Sequence, residues 1–424
     1  MSVNTPVKIG NYRWRIVVLL FFASTINYID RQVLGILAPQ LQNQLGWSES
    51  DYGFIIMAFQ IAYAIGLISM GTLLDKIGTR LGYIIAISLW SMAGMVHAAA
   101  RSVFSFSLAR FVLGIGQSAN FPAAVKSVAE WFPKKERALA TGIFNSGPNA
   151  GAILTPLLIP LMALKWGWQW TFIITGALGF IWLLFWIPIY RNPEDERKMS
   201  EAERRHILQD DGEETAVKIP WKSIISYKQT WGICLSRFLT DPIWWFFLYW
   251  LPKFLNSTYH IDLMHIGLPL IIIYLVSIGG SLFGGWMSSF LIGRGKHPLS
   301  ARKNTILLMA ILVVPIFFAS SSPSVWFAVT LVSMATFAHQ GYAANIFTIV
   351  SDIFPKNAVG SVVGLSGFAG AVGGILFSAG VGLILELTGS YYVIFGIASM
   401  AYLLCWLSLH LLVPGNEKIK ITQT

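Results

Sequence analysis

The sequence predicts an all-α membrane protein of twelve spans arranged as two similar six-helix bundles. Three observations carry that expectation. Of 424 residues, 55% are hydrophobic and 12% charged, about half the charged fraction of a soluble domain. Apolar runs long enough to cross the hydrocarbon core, roughly 20 residues each, recur twelve times. One long polar stretch, 191–229, separates six runs from six, and the two sides repeat each other.

In chain order the runs cover 14–38, 50–74, 81–100, 104–131, 138–163 and 169–190, then 230–255, 264–291, 303–320, 324–351, 358–385 and 389–413. The first apolar run, from Ile16, passes signal-peptide length without a small-residue cleavage site and reads as a span. The stretch between the halves holds Glu194, Asp195, Glu196, Arg197, Lys198 and the acidic run 210–214. It reads as a linker joining a half at 1–190 to a half at 230–424. Cys234 and Cys405 both fall in apolar runs, too few and too far apart for a disulfide framework or a metal motif.

Basic residues outnumber acidic ones 30 to 20, which in a soluble chain would suggest nucleic acid. Their placement argues otherwise. With both termini inside, the cytoplasm receives Lys8, Arg13, Arg15, Lys76, Arg80, Lys134, Lys135 and Arg137. It also receives the eight basic residues from Arg191 to Lys228, then Arg294, Lys296, Arg302, Lys303, Lys356, Lys418 and Lys420. The opposite side receives Arg101, Lys165 and Lys253, so the division is 23 to 3 and fixes the expected orientation. Arg31, Arg110, Lys126 and Arg237 remain inside spans.

A shift of 222 residues lays 131–153 on 353–375. Phe132 and Pro133 meet Phe354 and Pro355, and Gly142 and Gly151 meet Gly364 and Gly373. Duplicated halves of this kind build a binding site at their interface and expose it alternately to each side.

Between spans 2 and 3 lies Gly71-Thr-Leu-Leu-Asp75-Lys76-Ile-Gly78-Thr-Arg80. This run resembles, at every fixed position, the signature loop of the major facilitator superfamily, which implies the major facilitator fold. Gly71 is expected to let a neighbouring helix approach closely. Asp75 is expected to take a helix N-terminus or a basic partner across the seam between halves, and Gly78 a tight turn. The resemblance implies that the loop, with Lys76 and Arg80, latches one conformation rather than touching substrate. Its counterpart in the second half, Gly285 to Arg294, lacks the acid and suggests a weaker latch.

Further runs are similar to the anion:cation symporter branch of that family. They are Asn27-Tyr28-Ile-Asp30-Arg31, Ala119-Asn120-Phe121-Pro122-Ala123 and Glu130-Trp131-Phe132-Pro133. Arg237-Phe-Leu-Thr-Asp241-Pro242 with Trp244, and Phe337-Ala338-His339-Gln340, most resemble bacterial hexuronate transporters. The resemblance implies inward carriage of a sugar acid with protons, as a monomer in the inner membrane. Aldonates such as galactonate and dicarboxylates such as tartrate are the alternative cargoes.

A charge near the bilayer centre is costly, hence rare and functional by default. Arg31 and Arg110 offer planar forks for a substrate carboxylate and cannot give up their protons. Asp30 and Asp241 can, because burial and nearby cations pull a carboxyl's proton affinity in opposite directions. The alternative for Asp30 and Arg31 is a structural ion pair, although adjacent helical residues point apart. For Arg110 it is a packing role, and for Arg237 snorkelling to the membrane surface.

The chain departs from galactonate-type relatives at Gln117, where they carry a glutamate that takes a proton. The repeat shift sets His339 opposite Gln117, so a proton route through Asp30, Asp241 and His339 is expected; alternatively His339 is a hydrogen-bonded core residue. Lys126 and Glu130, one turn apart, are expected to pair along span 4. His97 and Glu386 are expected to be solvated near the outer face.

A polyhydroxylated ligand would find partners in Tyr28, Gln117, Asn120, Asn145, Asn149, Trp244, Tyr249, Gln340 and Asn345, although tryptophans such as Trp244 and Trp245 also serve as interfacial anchors. Asn145 and Asn149 lie four apart, on one helical face. Pro122, Pro148 and Pro156 are expected to kink spans 4 and 5. No phosphate-binding loop, cofactor motif or nucleophile–base spacing appears in the sequence. The remaining readings are a membrane-embedded enzyme and a sensor built on a transporter scaffold.

Overall fold

The computed structural model describes residues 10–208 and 221–414. Lys8, Lys218, Lys418, Lys420 and the acidic run 210–214, used above, lie outside the described residues. Eight helical segments meet the length and apolarity needed to cross a membrane. One of them, Leu139–Ile189, is two spans joined at Gly167, whose φ of 84° breaks the helix. Three more spans carry a break or a higher polar content, giving the twelve of the fold.

Span 1 is Tyr12–Leu45, span 2 Glu49–Ile77 and span 3 Thr79–Val96 with the turn His97–Ala99. Span 4 is Val103–Ser118 continued by Asn120–Trp131, and spans 5 and 6 are Lys134–Asn145 followed by Gly147–Ile189. Span 7 is Lys228–Tyr249 continued by Leu251–Tyr259, span 8 Gly267–Gly293, and span 9 Pro298–Val313 with Val314–Ala319. Span 10 is Val325–Ile353, span 11 Lys356–Thr388 and span 12 Tyr392–Leu412.

Span 1 outruns its expected end by two turns. Its polar residues Gln40, Gln42 and Asn43 need no membrane to remain helical, and the chain stops only at Gly46, left-handed at φ 70°. Span 2 then starts on a reciprocal cap between Ser48 and Asp51. The breaks in spans 4 and 5 sit just before Pro122 and Pro148. Proline has no N–H to give the preceding turn and crowds its carbonyl. Pro156, expected to kink span 5, stays within a continuous helix.

The repeat is visible in backbone geometry. Pro133 (φ −63°, ψ 154°) and Pro355 (φ −64°, ψ 151°) each start a helix in the same conformation. A methyl group at Gly151 would lie 2.7 Å from the Thr25 carbonyl oxygen of span 1, and one at Gly373 would strike that of Phe238 in span 7. The same pair of helices is thus in close contact in each half.

With twelve spans, both chain ends and the linker share one end of the bundle, here called the linker end. The halves meet from mid-seam to the far end. There Lys253 pairs with Glu49, the Ser50 N–H donates to Glu386 (3.2 Å), and the Tyr52 hydroxyl donates to the Tyr249 carbonyl (2.6 Å). Glycines allow this closeness: a methyl at Gly53 would sit 3.1 Å from the Ser378 carbonyl oxygen, and one at Gly35 2.9 Å from that of Leu248. A single apolar core runs through the second half into Val33–Leu41 and Tyr52–Ile56 at the far end. At the linker end the first half has a core of its own, from Tyr12, Trp131 and Trp186 to Ile207. Among the described residues the molecule is closed at the far end, while at the linker end the halves keep separate cores.

The linker helix Glu201–Leu208 docks under the first half. Arg13 bonds Glu136 (2.7 Å) and Glu203 (3.0 Å), and His206 meets Glu136 at 3.0 Å. The Arg13 guanidinium holds the Glu136 carboxyl below its ordinary range, with His206 adding to the effect against partial burial.

Candidate functional site

Where the halves meet at mid-seam, span 1 presents Arg31 into a box of aromatic rings. Its guanidinium carbon lies 4.7 Å from the Tyr63 ring centre, 4.9 Å from Tyr28, 5.3 Å from Phe59 and 6.0 Å from Trp245 of the opposite half. Nε donates to Gln117 Oε1 (3.2 Å) and Nη2 to Asn27 Oδ1 (3.2 Å). Arg110 of span 4 donates from Nη1 to the Arg31 carbonyl (3.2 Å), while its Nε and Nη2 are buried without a partner. Arg110 is 1% exposed. Among the described residues neither guanidinium is in an ion pair.

Asp30 does not pair with its neighbour Arg31, which removes the structural ion-pair reading. Its carboxylate points the other way within the first half, where Arg110 and Thr175 are the polar groups whose influence reaches it. Both its oxygens are buried with no hydrogen-bond partner. Buried unpaired polar atoms are rare and each calls for an account. Here two cationic nitrogens and two carboxylate oxygens are left open in one region.

The remaining residues divide. Gln117 spends both ends of its amide inside the half, accepting from Arg31 and donating to the Asn27 carbonyl (3.0 Å). Asn120 likewise donates to Ser24 (3.2 Å) and accepts from Tyr83 (3.0 and 3.2 Å), tying spans 1, 3 and 4 together. Asn345 donates to the Gly284 and Gly341 carbonyls of spans 8 and 10 (3.0 and 2.9 Å) and keeps a buried Oδ1 open. Tyr249 has a buried hydroxyl without a partner, within the influence of Arg31 and Arg110. Trp244 is half-buried, its ring parallel to His339 at 4.9 Å. His339 Nδ1 lies 2.6 Å from the Tyr402 hydroxyl, as in a hydrogen-bonded core residue. Asn145 is exposed, while Asn149 and Gln340 are half-buried. Asp241 is in an ion pair with Arg237, Oδ2 to Nη2 at 2.7 Å, so Arg237 does not reach for the membrane surface.

Three expectations are corrected. Lys126 does not pair with Glu130; it reaches Asp75 (2.8 Å) and the Leu74 carbonyl (3.0 Å) of span 2, while Glu130 takes Thr79 (2.7 Å) and Tyr190. Neighbouring helices outcompete the helical pair because span 2 offers Lys126 a carboxylate and a carbonyl, while Thr79 and Tyr190 offer Glu130 two hydroxyl donors. His97 is not solvated: it is fully buried, parallel to Phe172 at 5.0 Å, with Nδ1 on the Ala93 carbonyl (2.7 Å). Glu386 is exposed as expected, yet bonded across the seam. Gly71 has open space where a methyl would stand, so no helix approaches it in this open-ended state. Gly78 does make the turn, at φ 81°, and Arg80 donates to the Ile187 carbonyl (2.7 Å). Lys76 is exposed.

Sequence reasoning missed Gln60, Tyr63 and Asn27. Gln60 is fully buried at the seam with both amide atoms open, beside Gly374 of span 11. A glutamine and a tyrosine three residues apart in an apolar span were the available signal. A cavity of about 730 Å³ between spans 7, 11 and 12 is lined by apolar groups such as Leu376, Phe377 and Met400. It offers a sugar acid no hydrogen bonds and is not the site.

The Major Facilitator Superfamily family model matches residues 20–378. The chain is 31% identical over 423 residues to a hexuronate transporter of Escherichia coli (strain K12), covering 98% of this chain and 97% of that one. It is 34% identical over 314 residues to a galacturonate transporter of Dickeya chrysanthemi, covering 72% and 90%. Among solved structures, a D-xylose-proton symporter superposes with a TM-score of 0.75 at 16% identity, over 96% of this chain and 100% of that chain.

Proposed function

We propose that this chain, which belongs to the Major Facilitator Superfamily and is a multi-pass membrane transporter rather than an enzyme, carries a sugar acid such as glucuronate or galacturonate together with protons. The observation behind the substrate class is the pair of mid-seam guanidiniums, Arg31 and Arg110, which are in no ion pair among the described residues and keep open nitrogens on Arg110. A carboxylate is the ligand they lack. A planar fork takes it through two charge-assisted bonds, and the open Tyr249 hydroxyl and Gln60 amide, with the Tyr28 and Trp244 rings, offer partners for the sugar's hydroxyls and faces. Both relatives named above are uronate transporters.

Asp30 is the first proton carrier in this reading. Beside Arg110 its open carboxylate competes with the substrate's carboxylate for the same positive charge. A proton on Asp30 leaves that charge to the substrate, and bound substrate raises the proton's affinity in turn, since linkage is reciprocal. Asp241 and His339 are secondary candidates. Gln117 cannot titrate and acts by holding Arg31.

The excess of basic residues at the linker end supports a cytoplasmic position for that end and both termini, in the inner membrane. The described conformation is then open inward. Closing it would bring the Gly71–Arg80 loop of a monomer against the second half, while Glu49–Lys253 and Tyr52–Tyr249 part outside. The test is uptake of labelled galacturonate into vesicles, with hexuronates, aldonates and dicarboxylates as competitors. Competition by hexuronates first supports the reading, and binding without uptake refutes it.

A further inference from the structure

One buried cation has no part in the reading above. Arg237 lies one turn before Asp241 in span 7, with Nη2 2.7 Å and Nε 3.0 Å from the same oxygen, Oδ2. Both side chains are 17% exposed, so the pair is neither sealed in the core nor free in solvent. Span 11 provides a floor without side chains. A methyl at Gly370 would strike the Asp241 carboxylate, and one at Gly367 would lie 3.3 Å from Arg237 Nη1. The Phe347 ring of span 10 stands 5.1 Å from the guanidinium carbon. Two arms of one fork close on a single carboxylate oxygen over a glycine floor. That is the geometry of a carboxylate-binding site, occupied from within.

The occupant can be neutralised and the host cannot, because a guanidinium stays charged at any physiological pH. A proton added to Asp241 removes its negative charge and loosens its hold, leaving Arg237 to an incoming carboxylate. Loss of that proton restores the internal pair and expels the anion. The groups around the pair leave Asp241 as its acid: Tyr342 from span 10, Tyr402 and Cys405 from span 12 and Tyr28 from span 1 lie within its electrostatic reach, and His339 of span 10 within that of Arg237. Tyr28 is also the ring beneath Arg31, so this site lies across the seam from the first pair of guanidiniums.

The geometry points to Arg237 as a second carboxylate subsite, gated by Asp241, that takes the far acid group of a two-headed sugar acid. It rests on the sugar-acid reading above and deepens it: a uronate, with one acid group, engages Arg31 and Arg110, and a hexarate dianion bridges the seam.

Purified full-length protein titrated with galacturonate and with galactarate tests this at about pH 6 and about pH 8, where both ligands are fully ionised. In the unaltered chain galactarate should gain affinity at the lower pH by about tenfold more than galacturonate does. Asp241→Asn should abolish that extra gain and shift the galactarate-to-galacturonate ratio about tenfold toward galactarate. Arg237→Gln should shift it the other way. Asp241→Asn keeps the side chain's shape and carries the test alone if Arg237→Gln fails to fold. A ratio unchanged within about twofold, with galacturonate binding intact, overturns the subsite alone. No binding of either acid to the unaltered chain overturns the sugar-acid reading and the subsite with it.

Discussion

Arg31 is the residue whose replacement has the most calculable consequence. Its fork already reaches Gln117 and Asn27 at 3.2 Å each, and four rings within 6.0 Å fix its plane. A substrate carboxylate held bidentate would gain two charge-assisted bonds at roughly 2 kcal/mol each. Removing both in Arg31→Ala predicts a loss of about 4 kcal/mol, or about 10³ in Kd. Arg31→Lys keeps the charge and one bond but loses the fork, which predicts about 2 kcal/mol, or about thirtyfold. The ring box should hold the shorter ammonium in place, so the lysine variant reports on bidentate geometry rather than on folding. Calorimetric titration of purified protein with galacturonate measures all three affinities, with unfolding temperature as the control for integrity. A lysine variant within about twofold of the unaltered chain would refute the bidentate clamp.

Three further outcomes follow from the same geometry. Arg110→Ala should abolish measurable uptake, because its two open nitrogens have no hydrogen-bond acceptor among the described residues; normal uptake in vesicles would remove it from the clamp. Asp30→Asn should exchange labelled for unlabelled substrate yet fail to accumulate it against a gradient, and full accumulation would exclude Asp30 as the proton carrier. Gly53→Leu overpacks the far end against the Ser378 carbonyl at about 2 kcal/mol, moving the population about thirtyfold toward the opposite opening. Thiol labelling of a Ser50→Cys probe from outside should rise, and unchanged labelling would contradict the closed far end.

Much of the fold was legible because its signals are collective. Twenty apolar residues mark a span whatever its neighbours do, and the Phe-Pro repeat fixed the relation of the halves. The separation of Asp30 from Arg31 also followed from helix geometry alone. Partner choice between helices did not. Lys126 prefers Asp75 to Glu130, and Gln117 and Asn120 turn inward as ties between spans, because these depend on which helix lies beside which. The broken spans were legible only in part: Pro122 and Pro148 mark the breaks in spans 4 and 5, whereas span 7 parts at Trp250, with Pro252 at the start of its last segment. Gln60 was hidden by its surroundings, a single polar residue in a hydrophobic run whose importance appears only when the opposite half closes over it.

Coupling between sugar acid and proton is the account's central claim, and it is most directly read from the proton itself. Protein reconstituted in liposomes with a trapped pH-sensitive dye should acidify the lumen when galacturonate is added outside with no pH gradient imposed. The same addition to Asp30→Asn liposomes should leave the lumen unchanged. Galacturonate entry without any acidification in the unaltered protein would contradict the account.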